Sequence, residues 1–186
     1  MDRDFLQKVK EAVSAGDFDT AELLFLEEAE SPEGKLSLLR EAASIVASAG
    51  EIERAGEMLA GLQKAAEAAG PEEHLDLLRQ LCLWLPGRRP WRRAFVEAFT
   101  RYWGEDQQRM AFLKAADIVN SKDVREAFQR LDILMQLTEG SYLEHPGGWG
   151  VGKVRRILPL TGHIEVDLEQ RRGHRVNLGA AATIFR

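Results

Sequence analysis

Apolar positions through the first three quarters of the chain recur at helical spacing. Phe5, Leu6, Val9 and Val13 fall on one helical face, and the pattern stops at Ala15-Gly16, where a left-handed glycine ends a helix. Asp17 has the type and position of an N-cap. Phe18, Ala21, Leu24, Phe25 and Leu26 then form the inward side of a second helix, which Ser31-Pro32 breaks. The unit predicted is a helical hairpin.

Shifted by 34 residues, the hairpin returns. Ala15-Gly16-Asp17-Phe18-Asp19 aligns with Ala49-Gly50-Glu51-Ile52-Glu53, Ala21 with Ala55, Leu24 with Met58 and Phe25 with Leu59. This is the tetratricopeptide period, and small alanines at matching positions let each helix pair bury its face against the next. A third copy fails, because Trp84-Leu85-Pro86 stands where a glycine turn is needed. Helical spacing continues over 74–85, 91–103, 106–118 and 123–137, with Pro86-Gly87 and Pro90 as punctuation, so about eight helices are expected.

Beyond residue 140 the period changes to two. Ile164, Val166 and Leu168 alternate with His163, Glu165, Asp167 and Glu169, which predicts a strand with one face inward. A β-rich run over 151–158 precedes it through Pro159-Leu160-Thr161-Gly162, and Arg171-Arg172-Gly173 turns into another over 174–178. Val154-Arg155-Arg156-Ile157 breaks strict alternation, which predicts a bulge or a twist where the barrel turns its corner and lets both arginines reach solvent. Tyr142-Leu143-Glu144 and Thr183-Ile184-Phe185 are expected to add short strands and close an SH3-like or Tudor-like barrel. The fold class expected is α+β: a tetratricopeptide-like hairpin array over 1–140, then a small β-barrel over 141–186.

Charge sharpens this division. The 186 residues carry a formal charge of -5, but 1–140 hold 18 basic against 26 acidic residues and 141–186 hold 7 against 4. Cys82 is the sole cysteine, so no disulfide or thiolate metal cluster forms within one copy. The N-terminus alternates charges where a signal peptide needs an apolar core, and no apolar run reaches the roughly 18 residues that span a bilayer. A cytoplasmic protein without a membrane role is expected.

Candidate chemistry is sparse. Gly147 and Gly152-Lys153 have the Walker spacing, but Val154 stands where the magnesium-binding Ser or Thr belongs, and a strand pattern follows where a helix must open. His74, His145, His163 and His174 lie on different elements without ligand spacing, and no serine sits in a nucleophile elbow. No catalytic residue, metal or cofactor is therefore assigned. Arg88, Arg89, Arg92 and Arg93, interleaved with Trp91, are candidate nucleic-acid contacts, set against the plainer reading of a helix with core aromatics and solvated arginines.

One run carries a resemblance: His145-Pro146-Gly147-Gly148-Trp149-Gly150-Val151-Gly152-Lys153-Val154, followed by Pro159-Leu160-Thr161-Gly162, Val166-Asp167, Gly173-His174-Arg175-Val176 and Ala180-Ala181-Ala182. It resembles the N-terminal region of large Gre-type (GreA/GreB family) bacterial transcription elongation factors. It is also similar to the Tudor-like polymerase-interacting module of CarD and of the repair coupling factor Mfd. The resemblance covers residues 144–184, under a quarter of the chain. It implies a non-enzymatic adaptor whose barrel docks on the β subunit of bacterial RNA polymerase by strand addition. Transcript-cleavage stimulation is not implied, since the chain has room for neither the coiled coil nor the FKBP-like domain of Gre factors.

On that reading the partner-binding residues are Trp149, Lys153, Arg155, Arg156, Arg171, Arg172 and His174, an aromatic among cations as interface anchors commonly are. Trp149 has a second reading, as a plug over the open end of the barrel. Two other functions compete: direct DNA or RNA binding through the basic barrel and the Arg88 to Arg93 stretch, and a repeat scaffold holding a peptide or protein on its concave face.

Overall fold

A computed structural model describes residues 2–32, 34–145, 150–169 and 171–184. The fold is α+β, with ten α-helices and a four-stranded antiparallel sheet among the described residues. The chain divides into two compact units, Met1–Ala98 and Phe99–Arg186. Packing therefore groups the chain differently from composition, whose change falls near residue 140.

In the first unit, α1 (Asp2–Ser14) and α2 (Phe18–Ala29) form one hairpin, and α3 (Leu36–Ser48) and α4 (Ile52–Gly61) form the next. Each helix of the second hairpin starts 34 residues after its counterpart in the first. The turns correspond as well: Gly16 and Gly50 take φ of 75° and 99°, a region open to glycine. Asp17 caps α2 by accepting from the Thr20 N–H at 3.0 Å, and the Thr20 hydroxyl donates to its second oxygen at 2.7 Å. Ala21, Ala55 and Leu59 are wholly buried and Phe25 nearly so, and α1 and α2 both pack on α3.

Leu26 departs from expectation. Its spacing predicts a core position, but α2 is apolar on more than one side, and Leu26 stays 53% exposed with Leu23 at 60%. The array continues through α5 (Gln63–Ala69) and α6 (Pro71–Trp84), with α6 packing on both α4 and α5. At the α4–α6 approach a Cβ on Gly56 would lie 2.7 Å from Leu85 Cδ1. Helix α7 (Arg89–Trp103) crosses the division between the units, burying Phe95 and Ala98 on one side of it and Phe99 on the other.

The second unit pairs α8 (Gln107–Ala116) with α9 (Val124–Met135), capped by Asp106 and Asp123 through backbone N–H groups at 2.8–3.3 Å. Then follow β1 (Tyr142–His145), β2 (Gly150–Leu158), a 3-10 turn (Pro159–Thr161), β3 (His163–Leu168), β4 (Arg171–Asn177) and α10 (Leu178–Ile184). The strands run in sequence order as a meander. Of the bulge or twist expected here, a bulge is present: pairing shifts between Val154, opposite Val166, and Arg156, opposite Glu165, leaving both arginines exposed.

The sheet is open, with β1 and β4 as its edges. Thr183-Ile184, expected to begin a closing strand, belongs to α10, and Phe185 lies outside the described residues. Asn177 accepts from the Gly179 N–H at 2.8 Å and turns the chain into this helix. Helix α10 packs on β3, β4, α8 and α9, burying Leu178, Ala181 and Ala182. A helix thus covers apolar surface that a fifth strand was expected to close.

Two outcomes follow. A Cβ on Gly152 would meet Val166 Cγ1 and stand 2.7 Å from Leu168 Cδ2, both on buried side chains. Gly152→Ala is therefore expected to destabilise the second unit by about 1–3 kcal/mol in urea unfolding. Hydrogen bonds from Thr20 hold the Asp17 carboxyl below its ordinary pKa. A depressed pKa contributes stability above the unfolded value, near 4, and loses it as pH falls through the folded value. Asp17→Ala should lower the unfolding midpoint at neutral pH, and its gap from the parent should narrow as acid denaturation is approached from pH 4 downward.

Candidate functional site

Strand alternation builds a charged outer face on the sheet. Ile164, Val166 and Leu168 of β3 point inward and are buried, so His163, Glu165 and Asp167 point outward. Register places Lys153 opposite Asp167, and Arg156 and Arg175 on either side of Glu165. Arg175 reaches the Glu165 carboxylate at 3.1 Å, and Arg155 stands 3.8 Å from that of Asp167. Asp167 also accepts from the Gly173 N–H at 2.7 Å, which pins the β3–β4 hairpin.

Four cations thus surround two carboxylates on one face, leaving a modest positive excess. Opposite charges across strands add about 0.2–1 kcal/mol each and fix side-chain direction more than they add stability. At the β1 side the face turns apolar: Tyr142 is 70% exposed and Val151 46%, and the Lys153 ammonium lies 5.8 Å from the Tyr142 ring centroid. The stretch before β1 is bound to β2. The Gly140 N–H donates to the Val154 carbonyl and the Val154 N–H to that of Ser141, each at 2.8 Å, and Glu139 accepts from Ile157.

Of the residues expected to bind a partner, Lys153, Arg155 and Arg156 come together on this face. Arg171 and Arg172 are exposed at the start of β4. His174 pairs with the buried Val166 and so belongs to the opposite side of the sheet from these arginines. Trp149 lies outside the described residues. Arg175 was missed by the sequence reading; its signal was the hairpin register that sets it against Glu165.

The Arg88 to Arg93 stretch is dispersed. Arg88 is paired with Glu53, while Arg89 and Arg93 are exposed. Arg92 is 6% exposed and donates to the Pro86 carbonyl at 2.6 Å, so it holds the α6–α7 turn and cannot reach a phosphate. Phe95 and Phe99 are core, as the plainer reading of α7 required.

Among the described residues no three His, Cys, Asp or Glu side chains are grouped to hold a metal ion, and no helix is long and apolar enough to cross a membrane. Burial pushes the Cys82 thiol up to about 12, which keeps it protonated and unreactive at neutral pH. Cys82 should resist a thiol reagent such as DTNB in the folded chain and react stoichiometrically in guanidinium. Rapid labelling of the folded chain would show that the thiol is accessible.

The chain is 30% identical over 69 residues to the transcription elongation factor GreA of Chlamydia pneumoniae. The match covers 37% of this chain and 9% of that much longer protein. No family model and no solved structure matches the chain. The similarity relates part of the chain to a transcription elongation factor.

Proposed function

We propose that this chain is a non-enzymatic adaptor of transcription elongation, which docks on bacterial RNA polymerase through the β1 side of its sheet. The similarity to a transcription elongation factor supports the setting. The observation that carries the docking surface is the open β1 edge beside exposed Tyr142 and Val151 and the cations Lys153, Arg155 and Arg156. An unpaired edge offers main-chain donors and acceptors to an extended segment, while adjacent side chains select it. The β subunit is the expected partner.

In this reading the first unit is a tetratricopeptide-like scaffold of two hairpins, supported by the 34-residue offset of its helices. Direct nucleic-acid binding is the weaker reading. The cations of the sheet are threaded by Glu165 and Asp167, and two of the four arginines around α7 are committed within the fold. A phosphate-binding face would carry a larger uncompensated charge.

Binding of the full chain to purified bacterial RNA polymerase core, at low and high salt with single- and double-stranded DNA as parallel ligands, tests the assignment. Polymerase binding should survive the higher salt, and Tyr142→Ala with Lys153→Glu should weaken it about tenfold or more. Absence of polymerase binding, with DNA binding that falls steeply with salt, would replace the adaptor by the nucleic-acid reading.

A further inference from the structure

The exposed Leu26 of α2 borders a groove within the first unit. It runs between α2 and α4, the second helices of the two hairpins, and has a volume of about 320 Å³. Phe25, Leu26, Met58 and Leu62 give it an apolar floor, and Gly61 leaves one wall without a side chain. Each charged residue lining it is acidic: Glu22, Glu30 and Glu57. Arg54 of α4 is engaged by Asp19 at 2.6 Å and by the groove's Glu22 at 3.1 Å, and Lys35 is bound to Glu28 at 2.6 Å. Glu30 and Glu57 are exposed, with no ion pair among the described residues.

We propose that this groove docks a basic amphipathic segment of a partner protein, with an aliphatic side chain seated on Phe25, Leu26 and Met58 and flanking Lys or Arg residues meeting Glu30 and Glu57. Charge complementarity selects this occupant. An acidic segment would be repelled by the rim, and a neutral apolar one would leave the carboxylates unanswered. The volume accommodates one or two anchor side chains, as helix-in-groove recognition requires. The inference is independent of polymerase docking, because it concerns a different unit and a face of opposite charge.

The test uses the full chain and a short fluorescent peptide with Leu at i, i+3, i+4 and i+7 and Lys elsewhere, read by anisotropy. A Leu/Glu peptide of the same pattern and a scrambled Leu/Lys peptide serve as controls. Gly61→Trp fills the groove from a position where a Cβ meets nothing within 4 Å, so the chain should still fold, as its thermal transition will report. Saturable binding of the Leu/Lys helix is expected, with about a tenfold loss for Gly61→Trp and a comparable loss for Glu30→Lys with Glu57→Lys. Leu160→Gln, on an exposed turn of the other unit, should leave binding unchanged.

Equal binding of the scrambled or Leu/Glu peptide, no binding at all, or binding indifferent to Gly61→Trp would overturn the proposal. Concentration-dependent dimerisation in sedimentation that Gly61→Trp abolishes would overturn it in favour of a second copy of the chain.

Discussion

Both units depend on backbone approaching other groups where side chains are small or missing. In the hairpins, Ala21, Ala42, Ala43 and Ala55 are fully buried, which lets helices settle without a larger residue holding them apart. Gly56 does the same where α4 meets Leu85. In the sheet, Gly152 gives Val166 and Leu168 space that any Cβ would occupy. Protein interiors are close-packed, so these vacant positions set helix spacing and strand curvature as firmly as the large side chains fill the core.

The expected helices were legible because each carries an apolar face and a recognisable end. Asp17, Asp106 and Asp123 cap three of them through backbone N–H groups. Two helices were not read. The seven residues of α5 follow α4, which ends at Gly61, after only Leu62 and bury only Ala66, so their alanines carry no periodic signal. Helix α10 ends in Thr183-Ile184, β-branched residues that suggested a strand, while the Asn177 turn and the alanines decide for helix. Leu26 was misplaced for a related reason: a helix apolar on two sides does not say which side faces the core.

The charged face was half legible. Its cations stand out in the sequence, and the break in alternation at Arg155-Arg156 marks the place of the bulge without separating a bulge from a twist. The carboxylates that temper them come from β3, and only strand register shows that Glu165 and Asp167 lie among them. Arg92 shows the opposite limit. A run of arginines reads as one solvated patch, yet helix geometry turns one member inward onto the Pro86 carbonyl while its neighbours remain outside. Linear charge density and surface charge density are different quantities.

The bulge also separates two demands that strands normally couple. In a regular strand every side chain has a neighbour directly across, so a change of charge is also a change of sheet pairing. Register steps from Val154 to Arg156, so Arg155 occupies the surface without a residue opposite it. Mutation at that position can retune the potential of the outer face while the pairs that order the sheet stay intact. The charge of this face can therefore change independently of the sheet's pairing.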